Sequence, residues 1–331
     1  MWGIIEATCR GAATRRAPHA GEELVPGKLL TVRGPIDAEE AGFTLPHEHV
    51  MVDFIGAAQT GPDRYDRDEA DRVMRPYLEE AMACGVKTLV ECTPMYLARD
   101  VRLLARLSEE SGLNILTNTG QYMEPFLPER TFGLAAEELA REWIAECAAG
   151  IDGTDVRPGF IKTAVRSEPL APMQVKIIRA AALTSRETGL AIATHTGYAD
   201  QAEEVLGLLE REGIPPGRWI FVHAQAEPEP RRLITIARRG AWIELDGLSA
   251  ESAEKHRLAL MMLLEAGCAD RVLLSHDSGW YHVGEPGGGE IRGYAYLPSA
   301  FLPALRKRGV DAETLRRICE VNPARAFGIG S

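Results

Sequence analysis

Six side chains that can bind metal ions stand at the ends of short apolar segments: His47, His49, Lys162, His195, His223 and Asp277. His47 and His49 are two residues apart, and in a strand such residues lie on one face about 6.5 Å from each other. Their imidazoles could bind one ion at about 2.0–2.1 Å each, while Glu48 between them points the other way. We therefore interpret this pair as part of a metal site.

The recurrence of these residues carries more weight than any one of them. A lone strand histidine is more often a packed or exposed residue than a ligand, and a strand lysine such as Lys162 is usually solvated. Here, however, the polar residues occupy the same relative position in five of eight segments. Strand ends with a purely structural role have no need of imidazoles, so the pattern favours a metal centre.

The segments that carry these residues are predicted strands alternating with helices. The eight apolar segments are Phe43–Val50, Thr88–Pro94, Asn114–Gly120, Gly159–Ala164, Ala191–Gly197, Trp219–Gln225, Ala241–Gly247 and Arg271–Ser278. The helical patterns between them include Asp66–Cys84, Leu134–Ala149, Met173–Thr188, Gln201–Glu212, Glu229–Arg238 and Ser252–Ala266. Eight such units predict an α/β fold, a (β/α)8 TIM barrel with its active site at the carboxyl ends of the strands.

An open doubly wound sheet is the alternative fold. It would need a glycine-rich phosphate turn after an early strand, whereas the glycines of Gly284–Gly289 follow the eighth segment. We predict one barrel domain over residues 41–331, preceded by an N-terminal extension and a short strand or hairpin over residues 1–40. The glycine-rich stretch Trp280–Tyr294 is expected to be a mobile loop over the active site. Helices around Tyr296–Arg308 and Ala312–Cys319 are expected to close the chain.

Composition excludes several classes of protein. The formal net charge of the 331-residue chain is −11, which argues against nucleic acid or an anionic membrane as a partner. None of the six cysteines forms a CxxC pair, so a reducing compartment is the simplest interpretation. No segment has the length of a membrane span or the pattern of a signal peptide, and we expect a cytoplasmic protein.

The motifs around these residues resemble the phosphotriesterase family of the amidohydrolase superfamily. The matching motifs are Thr44–His49, Gly159–Lys162, Thr194–Gly197, Phe221–His223 and Leu274–Asp277, with supporting matches at Gly85–Val90, Arg99–Val101 and Asn322–Arg325. The resemblance runs from about residue 28 to the end. It is specific for the ligand set and much less specific for the substrate.

The resemblance implies a binuclear centre with a carboxylated lysine. His47, His49 and Asp277 would bind the more buried ion, and His195 and His223 the more exposed one. A carbamate formed from CO2 and Lys162 would bridge both ions together with a hydroxide. Mixed nitrogen and oxygen ligands suit Zn²⁺, which we expect, as well as Co²⁺, Mn²⁺ and Fe²⁺. The resemblance also implies a homodimer and a small-molecule substrate.

The same resemblance implies a hydrolytic mechanism. The bridging hydroxide would attack a carbonyl carbon or phosphorus, and Asp277 would take its proton. Tyr122 matches the position where lactonase-like members carry a tyrosine near the metals, although such a residue can also simply pack beneath a loop. We therefore favour a lactone or carboxylic ester as the substrate, with a phosphotriester as the alternative.

The chain departs from the family pattern in two places. Gly247 stands where members often have histidine or arginine after the seventh strand, and Ala224–Glu227 replaces an acidic run after the sixth. The proton acceptor beyond Asp277 is therefore open, with Glu244, Asp246, Glu227 or water as candidates. His276 is interpreted as a structural neighbour of Asp277, whereas His256 and His282 are expected in solvent or loops.

Two further functional hypotheses compete with the two-metal hydrolase. A one-metal deaminase of the same superfamily would not need Lys162. A catalytically silent barrel that serves as a binding protein would not need an intact ligand set. Counting metal ions per chain tests the first alternative, and turnover assays with several ester classes test the second.

Overall fold

Strands and helices alternate around a ring in the computed structural model, which describes residues 27–166 and 168–330. Residues 1–26 of the predicted amino-terminal extension lie outside this part. Strands β1 to β12 are Lys28–Thr31, Gly34–Asp37, Thr44–Val52, Thr88–Glu91, Asn114–Leu116, Asn118–Thr119, Phe160–Ala164, Ile192–His195, Trp219–Val222, Trp242–Leu245, Val272–Leu274 and Gly279–His282. Helices α1 to α11 are Arg67–Ala83, Val101–Ser111, Arg130–Gly133, Ala136–Ala149, Pro172–Thr188, Ala199–Arg211, Arg231–Arg238, Ala253–Glu265, Leu302–Lys307, Ala312–Arg316 and Asn322–Phe327.

Two interrupted strands join the sheets into a barrel. On one side, β5 pairs with β4 while β6, two residues later, pairs with β7. On the other side, β11 pairs with β10, and β12 pairs with β3 in parallel. Backbone hydrogen bonds continue this seam, since Asp277 N donates to His47 O (3.0 Å) and His49 N donates to Ser278 O (2.8 Å). The predicted TIM barrel is confirmed, with β3, β4, β5–β6, β7, β8, β9, β10 and β11–β12 as its eight positions.

The amino-terminal hairpin and the last helix seal the end of the barrel opposite the strand carboxyl ends. β1 and β2 pair in antiparallel fashion, and Lys28 also bridges to Ile329 near the carboxyl end. Leu29 of the hairpin and Phe327 of α11 are buried in a cluster that includes Phe160 and Trp242. Burying such side chains inside the strand ring fixes the barrel floor and leaves the other end for function.

The segment after β11 differs from its prediction as a loop. Gly279–His282 is a strand, and the hydroxyl of the buried Tyr294 donates to His49 O at 2.8 Å. Gly279 has φ +95°, and a Cβ there would lie 1.8 Å from His49 O, so the close pairing with β3 requires glycine. The prediction of a loop is therefore wrong for residues 280–282.

The predicted helices are present with ends shifted by up to two residues, but α2 was missed. Its signals were nonetheless in the sequence: Asp100 caps the helix by accepting from Arg102 N and Leu103 N, and Gly112 ends it with φ +82°. The two predicted carboxyl-terminal helices each contain a π-helical turn, at Leu297–Phe301 and Arg317–Val321. Across the described ranges, no helix has the length and hydrophobicity needed to span a membrane.

Candidate metal centre

Three of the predicted ligands converge at the seam between the first and last barrel positions. His47 and His49 lie on β3, and Asp277 follows β11. The Nε2 atoms of His49 and His47 lie 3.0 and 3.7 Å from Oδ1 of Asp277. This spacing suits three donor atoms around one ion, because metal–ligand distances near 2 Å place neighbouring ligand atoms about 3 to 4 Å apart.

The other three predicted ligands stand beside this group on adjacent strands. Nδ1 of His195 lies 2.6 Å from Nε2 of His223, so the two imidazoles face a common point. Nζ of Lys162 lies 3.3 Å from Nε2 of His47. All six side chains that the sequence analysis singled out as ligands are thus brought together at the carboxyl ends of β3, β7, β8, β9 and β11.

Hydrogen bonds fix the orientation of three of the four imidazoles. Nδ1 of His47 lies 3.0 Å from Oε2 of Glu244, and Nδ1 of His223 lies 2.5 Å from Oδ1 of Asp246. Nδ1 of His49 lies 2.9 Å from Oγ1 of Thr93, whose single proton is donated to Met51 O. Each Nδ1 must therefore donate, which leaves the Nε2 lone pair facing the centre.

This geometry gives Glu244 and Asp246 a different role from that of the ligands. Both carboxylates lie close enough to His47 to form a possible metal-binding triplet. They approach Nδ1 of the imidazoles, however, on the side away from Asp277 and Lys162. They are therefore hydrogen-bond acceptors that orient ligands, a function that the sequence analysis did not assign to them. Their alternate positions on the predicted seventh strand put both side chains on one face but do not show which imidazole each of them meets.

Two of the converging residues have left-handed backbones. His223 has φ +62° and Asp277 has φ +52°, values that side-chain-bearing residues rarely adopt. His223 N donates to Oδ2 of Asp246 at 2.9 Å, and Asp277 N donates to His47 O at 3.0 Å. Such conformations persist only when surrounding contacts hold them, and they are concentrated at functional sites.

The Glu48 side chain points away from the predicted metal ligands and accepts hydrogen bonds from the turn that carries Asp277. Its carboxylate accepts from Ser275 Oγ (2.7 Å), His276 N (3.0 Å), His276 Nδ1 (2.7 Å) and Ser278 N (2.9 Å). Nε2 of His276 accepts from Leu297 N at 2.8 Å, so the imidazole proton is on Nδ1. His276 is thus a structural neighbour of Asp277, as its prediction stated.

Electrostatics keeps most of these groups in a form that can bind cations. Burial, reinforced by Lys162, lowers the pKa of His47 well below its usual value, and burial with His223 does the same for the pKa of His195. Burial opposes ionisation of Asp277, but the neighbouring imidazoles of His49 and His47 hold its pKa well below the usual range. Neutral imidazoles and an ionised carboxylate are the species that metals bind.

Lys162 is compatible with carboxylation. Its side chain is 2% exposed, and among the described residues it makes no ion pair with a carboxylate within 4.0 Å. An isolated ammonium buried beside imidazoles is costly. A carbamate anion would instead supply the negative charge that two cations need. The donor set of four imidazoles, one aspartate and this lysine therefore fits a pair of divalent ions.

A cavity opens above the six residues, which all contribute to its lining. Tyr122 lines it and its hydroxyl lies 2.9 Å from Nδ1 of His195, while burial followed by Asp277 raises its pKa, so the phenol stays neutral. The remaining wall is apolar and is made by Val52, Phe54, Pro94, Leu97 and Trp280, with Cys92 and Thr93 near its floor.

Other interactions are found at the two places where the chain departs from the family pattern, Gly247 and Ala224–Glu227. The Gln225 amide exchanges two hydrogen bonds with Asp246, and a Cβ at Gly247 would lie 3.1 Å from Nε2 of Gln225. Glu227 accepts from Ala199 N (2.7 Å) and Glu229 N (2.9 Å), so it caps α6. We therefore discard Glu227 as the proton acceptor beyond Asp277.

Two histidines lie elsewhere than expected, and one of them, His282, is half-buried at the end of β12. His256, predicted in solvent or a loop, is 1% exposed on α8. Its Nε2 lies 2.6 Å from Asp246 O, so it supports the strand end that orients His223. The helical position of His256, four residues after Ser252 and ten after Asp246, gave no sign of this contact.

Comparisons with known proteins agree with this arrangement. The phosphotriesterase family model matches residues 27–327. A phosphotriesterase homology protein of Escherichia coli is 30% identical over 87% of this chain and 99% of its own length. An aryldialkylphosphatase of Saccharolobus solfataricus is 29% identical (90% and 98% covered), and an N-acetyltaurine hydrolase of Xenopus tropicalis is 25% identical (90% and 97% covered). A mutant organophosphorus hydrolase of Deinococcus radiodurans superposes with a TM-score of 0.83 and 32% identity, covering 92% of this chain and 100% of that one.

Proposed function

Because the chain belongs to the phosphotriesterase family and is a hydrolase with grouped metal-binding side chains, we propose that it hydrolyses lactones or carboxylic esters at a binuclear centre. The observation that carries the proposal is the convergence of six donor groups, three of them imidazoles whose Nδ1 atoms are already engaged. A structural barrel would have no reason to aim these groups at one point.

In this proposal the ligands divide between two ions. His47, His49 and Asp277 would hold one ion, His195 and His223 would hold the other, and a carboxylated Lys162 would serve both. Zn²⁺ is the expected metal, and Co²⁺, Mn²⁺ and Fe²⁺ are compatible with the same donors. Bound ions of this kind lower the pKa of water and polarise the scissile group of the substrate.

The side chains supply positioning and proton transfer. Asp277 accepts the proton of the attacking water, since its low pKa leaves it ionised. The neutral Tyr122 phenol, now directed at Nδ1 of His195, donates to the substrate oxygen when that nitrogen is engaged. Trp280 and Phe54 cover the entrance and limit access of bulk water.

Tyr122, at the position where lactonase-like members of the family carry a tyrosine, lines the cavity and supports a lactone or ester over a phosphotriester. Phosphotriester hydrolysis is the second candidate function, because one of the relatives is named an aryldialkylphosphatase.

The deciding experiment compares kcat/KM for lactones, aryl esters and phosphotriesters on one metal-loaded preparation, with the metal content measured on the same sample. We expect about two ions per chain and the highest kcat/KM for a lactone or ester. Lys162→Ala should lose most turnover and retain less metal, and added acetate should restore part of it. A phosphotriester rate constant well above all others would reverse the substrate preference. A barrel that binds without catalysis would show no turnover of any class.

A further inference from the structure

The carboxylate of Asp277 makes no hydrogen bond at the oxygen that faces the imidazoles. Its Oδ1 atom lies 3.7 Å from Nε2 of His47 and 3.0 Å from Nε2 of His49. Both nitrogens carry lone pairs, because the protons of these imidazoles are on Nδ1. Among the described residues, Oδ1 therefore has no donor. The direction of this carboxylate must be set by the backbone at residue 277.

Long-range hydrogen bonds hold the peptide units on both sides of Asp277. In the preceding unit, Asp277 N donates to His47 O at 3.0 Å. In the following unit, Ser278 N donates to Oε2 of Glu48 at 2.9 Å, and the carbonyl of Asp277 forms the other end. Because a peptide unit is planar, holding both units sets φ and ψ of Asp277 and thereby the direction of its side chain. The groups that bind this carbonyl therefore help to direct the carboxylate.

Two side chains donate to the carbonyl oxygen of Asp277. Trp280 Nε1 lies 2.9 Å from it and Arg292 Nη2 lies 2.5 Å from it, so both lone pairs of the oxygen are used. The guanidinium carbon of Arg292 also lies 5.2 Å from the centroid of a Trp280 ring, within the range of a cation–π contact. Gly279 and Arg292 exchange backbone hydrogen bonds of 2.8 and 3.0 Å, which bring the arginine back to the turn. We call Trp280 and Arg292 the carbonyl clamp.

The turn between Asp277 and Trp280 needs such contacts, because both residues have left-handed backbones, with φ +52° and +71°. Without them, a residue that carries a side chain would relax toward a commoner conformation, and the carboxylate of Asp277 would turn away from the imidazoles. Arg292 is exposed and lies outside the cavity lining. Among the described residues it also forms no ion pair with a carboxylate within 4.0 Å. Its guanidinium contacts are those with the Asp277 carbonyl and the Trp280 indole.

Resting on the proposed function for its kinetic readout, we infer that Arg292 is a positioning residue for the reaction. Through the carbonyl of Asp277, it keeps the carboxylate of that residue directed at the position of the proposed ions. Removing the guanidinium leaves the Trp280 indole as the remaining side-chain donor to this carbonyl. The peptide unit after Asp277 can then rotate, and the carboxylate spends less time in the direction that proton transfer requires.

The kinetic test replaces the arginine on metal-saturated enzyme. Arg292→Met keeps an unbranched stem beside Trp280 but removes the donors, and kcat should fall about tenfold with KM changed less than about twofold. Arg292→Lys restores a charged donor and should recover at least about a third of kcat. Arg141→Met, at an arginine of α4 whose side chain is 71% exposed, is the matched control and should change neither constant. A loss confined to KM would make Arg292 a substrate contact, and an unchanged kcat would remove it from the reaction; either result overturns the inference.

Hydrogen exchange separates this inference from the proposed function, because it needs no substrate. The amides of Asp277 and Ser278 donate within the turn, and their exchange can be followed by mass spectrometry of peptides that span residues 275–282 in the zinc-loaded protein. Exchange should be at least about tenfold faster in Arg292→Met and unchanged in Arg141→Met. Faster exchange in a protein that hydrolyses no lactone or ester would support the clamp and reject the proposed function. Unchanged exchange in Arg292→Met would reject the clamp, and intact lactone turnover would then retain the hydrolase.

Discussion

Asp277 combines an ionised carboxylate with a left-handed backbone at the point where β11 ends. Because its proposed task is to accept a proton during attack, Asp277→Asn should lower kcat and kcat/KM together by about 100- to 10,000-fold with little change in KM. Steady-state kinetics on metal-saturated enzyme measures this. Asp200→Asn, at an exposed aspartate of α6, is the control and should be unaffected. A change confined to KM would assign Asp277 to substrate binding.

The partners of the ligands show where residue-level prediction from sequence stops. His47, His49, His195, His223, Lys162 and Asp277 could be selected because each stands at the end of an apolar segment. The hydrogen-bond acceptors Thr93, Glu244 and Asp246 could not be assigned to particular imidazoles, since a carboxylate or hydroxyl near a strand end has many possible partners. Only the pairing of neighbouring strands in the barrel decides which imidazole each of them meets.

At the scale of elements, Glu48 connects β3 to the turn after β11. Glu48→Gln would set an amide NH2 against the Ser278 N–H and weaken the contact with His276, leaving a buried donor unpaired. We expect a loss of about 1–3 kcal/mol in the free energy of unfolding, measured by urea denaturation. We also expect a lower kcat, because Asp277 lies in the released turn.

The control for this substitution is Glu79→Gln on the exposed side of α1, which should change neither quantity measurably. An unchanged kcat in Glu48→Gln, together with the loss of stability, would limit the role of Glu48 to joining the two strands.

Helix α2 provides a pH-dependent prediction. Burial alone would raise the pKa of Asp100, but hydrogen bonds from Tyr65 and Arg67, both 2.5 Å, hold it below the usual value. A lowered folded-state pKa stabilises the fold above about pH 4, and the contribution disappears as pH falls through that pKa. Asp100→Asn keeps an N-cap oxygen but loses the charge, so it should cost about 1–2 kcal/mol at neutral pH and progressively less below about pH 4.

Urea denaturation across pH measures this difference in stability. Asp66→Asn is the matched control, because Asp66 caps α1 from an exposed position, and it should cost less than about 0.5 kcal/mol. A cost for Asp100→Asn that did not diminish in acid would show that the carboxylate charge contributes nothing.

For the whole molecule, the barrel was predictable because strand and helix patterns alternate at regular length, and the family match agrees with it. The interruptions of two barrel strands, at residue 117 and at residues 275–278, were not predictable from the sequence. They depend on which neighbouring strand each half pairs with.

Removal of metal should reduce global stability, because the proposed ligands come from five barrel positions and meet at one point. An ion at about 100 times its Kd contributes about 2.7 kcal/mol. We therefore expect removal of two such ions by a chelator to lower Tm by about 8 °C, and added Zn²⁺ to restore it. Lys162→Ala lacks the proposed bridge, so the difference in Tm between its chelated and zinc-loaded forms should be smaller than in the unmodified protein. Identical Tm values with and without chelator in the unmodified protein would contradict metal binding.

The seam between β3 and β12 also determines when the site can form during synthesis of the chain. His47 and His49 emerge early, but their partner Asp277 and the strand that closes the ring emerge near the end. At about 5–20 residues per second, roughly 10 to 50 seconds separate these events on the ribosome. For that interval the first two histidines border an unpaired strand edge, where only weak metal capture is possible. Loading of the centre is therefore a step that follows translation of the last barrel strand, and a nascent chain stopped before Gly279 would expose β3 as an edge available for aggregation.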